Sequence, residues 1–422
     1  MQSVARVFSF MTSRRDTELP EWFQANQPSE TTENRPVFLY QSWIPEHTDK
    51  LILSLSRSQD YEIKNIGMFK GQTDKLTRAS ILKFAAQNGD LYRKMCLHKL
   101  MPYRDKAAGL VVTLDWTPAM RHLVYAASQL GIPTVLVPHE SVFASRSMYY
   151  MHPKLLINRP ACDLVCSWGS LQTEIFIERG YPAERIIKTG GPKFDYLDSV
   201  RHPNPSHKQS LRALGLDPAK FTITFATQPL DSQYRSWRKT MRAQEAALVD
   251  ALDWIQITDN TQLMVRLPPS RGEIFSKSIY RRIAAMPNAA LDDSNLYLLS
   301  AEEAIAASET IVSVNSTMLL EAALCGRVAI SSKYIRFDQI WDNLKIPVAH
   351  NRFQLHASLD DARLRPAEIV ARYDLHWAEE QFSQASFDGR AAQRISEIFA
   401  RIAYGDLDLD QGYAQSNPFL PV

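Results

Sequence analysis

An excess of one charge sign is missing from this chain. Among 422 residues, Lys and Arg number 48 and Asp and Glu number 46. That balance argues against a dedicated nucleic-acid binder, which carries a basic surplus. Cysteine is scarce: Cys96, Cys162, Cys166 and Cys325 are the full set. Cys162 and Cys166 flank the apolar pair Leu164-Val165, and no second Cys or His pair stands at zinc-like spacing. Buried free thiols in a reducing compartment are the expectation. No stretch approaches the roughly 18 apolar residues that a membrane span requires. Neither a Walker A loop nor a Gly-x-Gly-x-x-Gly run is present, which removes support for ATPase and dehydrogenase readings. At the start, Val4, Val7, Phe8, Phe10 and Met11 are mixed with Arg6, Arg14 and Arg15. This run is too short and interrupted for a signal peptide. It suits a frayed terminus or a weak amphipathic helix on a membrane surface. A cytoplasmic protein is expected, with peripheral contact at the inner membrane face left open.

What is present is apolar material in alternating patterns. Hydrophobic residues make up 45% of the chain, enough for two cored domains at this length. Strand-like runs at Pro36–Tyr40, Leu110–Leu114, Thr134–Val137, Asp163–Val165 and Ile186–Thr189 alternate with helix-like stretches such as Thr117–Leu130 and Leu171–Arg179. Short strand–helix–strand repeats of this kind predict a parallel sheet covered on both faces. The Pro-, Ser- and charge-rich stretch Asp198–Ser210 reads as a linker. A second series follows, with strands at Phe221–Phe225 and Gln262–Arg266 and a helix at Thr240–Ile255. The expected fold is α/β, with two Rossmann-like domains facing a central cleft. Residues 1–200 are expected as the first of these domains and 201–370 as the second. Residues 371–422 form a helical tail that packs back across the hinge.

The segment Tyr297–Ile330 is the most informative. Ser300 and Glu303 make a capping box. Ile311–Val314 is a short buried strand, and Asn315, Ser316 and Thr317 then open a helix that Gly326 ends. Hydroxyls and free backbone N–H groups just past a strand's carboxyl end make an anion site. Glu321, one turn further, lies within reach of a ribose hydroxyl. Ordinary N-capping by Ser and Thr is the plainer alternative.

In open parallel sheets function gathers at the carboxyl ends of the strands. Those ends deliver Asp115 and Trp116, His139 and Glu140, Trp168, Gly190 and Gly191 followed by Lys193, Gln228 and Asp231, Arg266, and Asn315–Thr317. His139 with Glu140 offers a general base and an acid, or simply a surface loop pair. Asp231 can attack an anomeric carbon or act as a base; it can equally cap the helix that follows. Arg266 can fork onto a phosphate or sugar carboxylate, or face solvent. Gly190 and Gly191 permit close approach of a ligand, or a tight turn. Trp116 and Trp168 can stack on a sugar ring, though core packing is favoured.

Three stretches carry a resemblance: Asp163–Gly169, Arg179–Asp195 and Val314–Gly326. Together they resemble GT-B glycosyltransferases of bacterial surface polysaccharide assembly, over roughly residues 110–335. Ala226-Thr-Gln-Pro-Leu-Asp231 with Asn315-Ser-Thr317 looks most like the retaining β-Kdo transferases of O-antigen and capsule synthesis. Related enzymes often carry His-Pro where this chain has Pro268-Pro269. The resemblance implies a CMP-Kdo donor, a glycan acceptor and Asp231 as nucleophile, with residues 1–200 on the acceptor side and 201–370 on the nucleotide-sugar side. Nucleotide contacts would come from Asn315, Ser316, Thr317, Glu321, Arg266 and Gln228. Asp115, Gly190, Gly191 and Lys193 would serve the sugar or acceptor, and His139 and Glu140 the chemistry. No cofactor, metal or nucleic acid is expected; a glycan-assembly complex is a further conceivable partner. The alternatives are a CDP-glycerol or UDP-sugar enzyme of the same fold, and a non-catalytic scaffold.

Overall fold

The computed structural model describes residues 19–25, 35–44, 48–70, 75–140, 146, 149–151, 157–202, 204–228, 230, 237–268, 274–293, 297–335, 340–407, 409 and 413. Met1–Arg15, Asp231 and Pro269 lie outside them.

The described residues form two six-stranded sheets. The first holds β1 (Val37–Tyr40), β2 (Glu62–Asn65), β3 (Ala107–Val112), β4 (Thr134–Leu136), β5 (Leu164–Ser167) and β6 (Ile186–Lys188), in the order β2-β1-β3-β4-β5-β6. The second holds β7 (Phe221–Ala226), β8 (Thr261–Arg266), β9 (Ala289–Asp292), β10 (Thr310–Ser313), β11 (Val328–Ser332) and β12 (Val348–Ala349), in the order β12-β11-β10-β7-β8-β9. Every neighbouring pair is parallel. Central strands such as β5, β8 and β10 are buried along their whole length, as helices on both faces require. The second sheet, read from β9, has the strand order of a dinucleotide-binding sheet, and its order reverses between β7 and β10.

Local chemistry sets the elements around that reversal. The capping box forms: Ser300 Oγ accepts from Glu303 N at 3.1 Å, and Glu303 Oε2 accepts from Ser300 N at 2.7 Å. The helix Met318–Leu324 ends where Gly326 takes φ +65°, and the Arg327 N–H returns to the Ala322 carbonyl at 2.9 Å.

The segment expected as a plain linker is folded. Leu197–Arg201 is a short helix and Pro205–Leu214 a 3₁₀ run started by the Asn204 side chain, which accepts from Ser206 N at 2.9 Å. Its composition is polar, but Leu197, Val200 and Leu211 are buried and Lys208 pairs with Glu309 at 2.8 Å. A few buried apolar side chains suffice to order it.

After the second sheet come the helices Pro366–Val370, Leu375–Phe382 and Ala391–Ala403. The last lies on the first sheet. Ile395, Ile398 and Phe399 join Phe38, Val111, Val135 and Cys166 in one apolar cluster, and Phe399 stacks on Phe38 at 4.6 Å between centroids. Each such side chain contributes about 1.5–3 kcal/mol on full burial. The first backbone amides of this helix are capped from a distant element: the Asp195 carboxylate accepts from Ala391 N at 2.9 Å and Ala392 N at 2.7 Å. Gly169 admits the preceding crossing, because a Cβ there would meet the Gln381 carbonyl oxygen at 2.5 Å. Among the described residues no helix is long and apolar enough to cross a membrane. The four cysteines are free and buried, and burial pushes the Cys166 and Cys325 thiols up to about 12.

Candidate functional site

The reversal in the second sheet brings the ends of β7 and β10 side by side. Ser313 Oγ donates to the Ala226 carbonyl at 2.6 Å, and the Asn315 N–H donates to Gln228 Oε1 at 2.8 Å. Gln244 fixes Gln228 in turn, accepting from its N–H at 2.9 Å and donating to its carbonyl at 3.2 Å. Trp341 Nε1 donates to the Asn315 carbonyl at 3.0 Å. Gln228 and Asn315 are therefore brought together, and both are buried structural pins of the crevice wall. Ser316 and Thr317 are half-buried beside them. Ser316 Oγ accepts from Met318 N at 3.2 Å, the capping alternative in a local form. Thr317 makes no cap and turns its hydroxyl to the other domain.

That contact comes from the run after β6. The Lys193 ammonium lies 2.5 Å from Thr317 Oγ1 and 2.5 Å from Glu321 Oε1. The Tyr196 hydroxyl donates to Glu321 Oε2 at 2.5 Å. The Glu321 side chain is 1% exposed and that of Lys193 is 35% exposed. A buried carboxylate is thus paired wholly by side chains of the first domain, as burial of a charge demands. Burial, and then the Glu321 charge, push the Tyr196 phenol well above its ordinary range, so it stays a donor. The carboxyl edges of the two sheets meet here.

Other expected residues have internal duties. Arg266 does not stand at a free strand end. It donates to the Asp292 carboxylate and to the Leu299 carbonyl at 2.8 Å, with its guanidinium 4.0 Å from the Tyr297 ring centroid. Asp115 is fully buried: Tyr150 OH, Ala161 N (2.6 Å) and Cys162 N (3.1 Å) donate to its carboxylate, which ties the end of β3 to the approach to β5. The close approach at Gly190 and Gly191 is by the protein itself. A Cβ on Gly190, at φ +82°, would meet Arg394 and Ala391 at 3.1–3.2 Å, and one on Gly191 would meet the Trp168 ring at 2.9 Å. Trp168 is core, its Nε1 donating to the Pro138 carbonyl at 2.8 Å.

His139 and Glu140 follow β4 at the carboxyl edge of the first sheet and are half-buried. His139 Nδ1 is 2.9 Å from the Thr113 carbonyl, which only accepts, so the proton sits on Nδ1 in that contact. The Glu140 carbonyl accepts from Gln172 Nε2 at 2.9 Å. Tyr196, Asp195 and Asp292 are the partners that strand-end reading misses; the first two stand in the same Gly190–Tyr196 run as Lys193. Among the described residues no cluster of three or more His, Cys, Asp or Glu side chains is placed to hold a metal ion.

No protein-family model matches this chain, and no curated protein matches it. Solved structures do. A variant of the wall teichoic acid polymerase TagF is similar with TM-score 0.60 at 14% identity, covering 96% of this chain and 98% of that one. MnaA of S. aureus, in a co-structure with UDP, is similar with TM-score 0.58 at 12% identity over 89% and 98%. The UDP-GlcNAc 2-epimerase of Neisseria meningitidis, bound to UDP-GlcNAc, has TM-score 0.55 at 13% identity over 87% and 100%. The fold is GT-B: two Rossmann-like α/β domains whose carboxyl edges face each other.

Arg266→Met tests the structural assignment of that guanidinium. It strands the Asp292 carboxylate and should lower stability by roughly 3–5 kcal/mol, the cost of breaking a buried pair. A shift of the denaturant midpoint equivalent to under about 0.5 kcal/mol, as for a surface change, would return Arg266 to a solvent-facing strand end.

Proposed function

We propose that this protein is a nucleotide-sugar-dependent glycosyltransferase that moves Kdo or a related acidic sugar from a CMP donor onto a bacterial surface glycan. One observation carries the nucleotide part: the strand-order reversal between β7 and β10 aligns Gln228 with Asn315–Thr317, and Lys193 reaches that point from the opposite domain. Ligands of open α/β sheets bind at such reversals. The named neighbours add that UDP and UDP-GlcNAc occupy proteins of this architecture. The acidic-sugar part rests on the run Ala226–Asp231 together with Asn315–Thr317. A CDP-glycerol or UDP-sugar donor is the second reading, supported by a TagF structure soaked with CDPG and by the neighbours that hold UDP or UDP-GlcNAc.

In this proposal the donor phosphate lies against Ser316 and Thr317 and the ribose against Glu321. Asp231 follows β7 by sequence and Leu230, its neighbour, is fully buried. Its carboxylate attacks the anomeric carbon as the bond to the CMP phosphate oxygen breaks, and CMP leaves with that electron pair. An acceptor hydroxyl then displaces the carboxylate from the same carbon, losing its proton to His139 or Glu140. Two displacements restore the starting configuration.

Thermal unfolding with CMP, CDP and UDP separates the readings. CMP at 100 times its Kd should stabilise the protein by about 2.7 kcal/mol. A shift with CDP or UDP alone moves the donor to the second reading, and no shift with any of them leaves a scaffold. Asp231→Asn keeps the shape and removes the charge. It should bind donor normally and lose roughly 10³-fold in transfer rate, with no sugar adduct by intact mass where wild type shows one. Transfer at near wild-type rate would leave Asp231 as a helix cap.

A further inference from the structure

Lys193 occupies the groups that a nucleotide at this crevice needs. Its ammonium touches Thr317 Oγ1 and Glu321 Oε1 at 2.5 Å each, one a phosphate-side hydroxyl and the other a ribose-side carboxylate in the reading above. Its backbone is pinned. Pro192 precedes it, Phe194 packs edge-on against Trp168 at 5.2 Å between centroids, and Asp195 is bonded to Ala391 and Ala392. Only the four-carbon stem is free to swing, and a lysine ammonium is a point charge suited to that.

The burial is unequal in a useful direction. Glu321 is sealed at 1% exposure and cannot follow a ligand, whereas Lys193 at 35% has a path to one. If the ammonium leaves, Tyr196 still donates to Glu321 Oε2, so the carboxylate is not left bare. Arg266, another cation at this edge of the second sheet, is committed to Asp292 and Leu299.

We propose that Lys193 is the donor-phosphate ligand, delivered from the N-terminal domain, and that donor binding exchanges its ammonium from Glu321 to the phosphate while the ribose takes the Glu321 oxygen it vacates. This deepens, and rests on, the nucleotide reading above. The exchange makes the first domain read the presence of a phosphate on the second. It also supplies the departing phosphate with a cation through a protein side chain.

The test is a comparison of CMP with cytidine, and of UMP with uridine, on wild type, Lys193→Met and Lys193→Arg, with thermal unfolding to confirm that each variant is folded. Lys193→Met should weaken monophosphate binding roughly tenfold or more, the size of a hydrogen bond to a charged group, while nucleoside binding holds or rises because the competing ion pair is gone. Lys193→Arg should recover part of the monophosphate preference. Equal change in monophosphate and nucleoside affinity would overturn the proposal and leave Lys193 as an interdomain tie. Wild type that binds none of the four ligands would instead overturn the nucleotide reading itself, and this proposal with it.

Discussion

A buried carboxylate must be paired, and Glu321 is paired from the other domain. Lys193 and Tyr196 take its two oxygens, so the position of one sheet relative to the other is written into one short run of chain. Residues 189–196 have almost no idle member. The Thr189 carbonyl accepts from Arg394 Nε at 2.7 Å, Gly190 and Gly191 let the last helix and Trp168 close in, and Phe194 packs on Trp168 and Phe387. Asp195 caps the last helix and Lys193 and Tyr196 hold Glu321. One segment therefore fixes the C-terminal helix on the first sheet and the first domain on the crevice of the second. A ligand that competes for Glu321 acts on that joint directly.

How much of this is legible in the sequence follows from burial. Strands sealed on both faces are apolar, β-branched runs, and β7, β8 and β10 stand within a residue or two of where periodicity puts them. Edge strands are marked unevenly: β6 keeps a short Ile-Ile run that shows in the sequence, whereas two others do not. β2 (Glu-Ile-Lys-Asn) and β9 (Ala-Ala-Leu-Asp) are mostly half-exposed, pair on one side only, and hold no β-branched run to mark them. The capping box and the Gly326 stop are visible because they are bonds between residues three to five apart.

The site is legible only as a list of polar groups at strand ends. Position on the strand gives the edge a side chain occupies; it does not give its partner. Arg266 and Asp115 stand at strand ends like Thr317, yet their partners, Asp292 and the Ala161–Cys162 amides, are 26 and 46 residues away and no local pattern ties them together. Lys193 and Glu321 are separated more widely still, and only the meeting of the two sheets reveals them as a pair. Gly190 and Gly191 show the same limit: glycine signals a close approach and leaves open whether a ligand or the chain makes it.

In the proposed function the nucleotide sits where the β7–β10 reversal meets Lys193. Amide hydrogen exchange of the intact protein, with and without saturating CMP, reads this region by region. The account predicts added protection in peptides covering 192–196 and 315–321, the two sides of the Lys193–Glu321 contact. Unchanged exchange in both peptides, or protection confined to the groove lined by Ser170, Lys188, His376, Glu379 and Glu380, would contradict it.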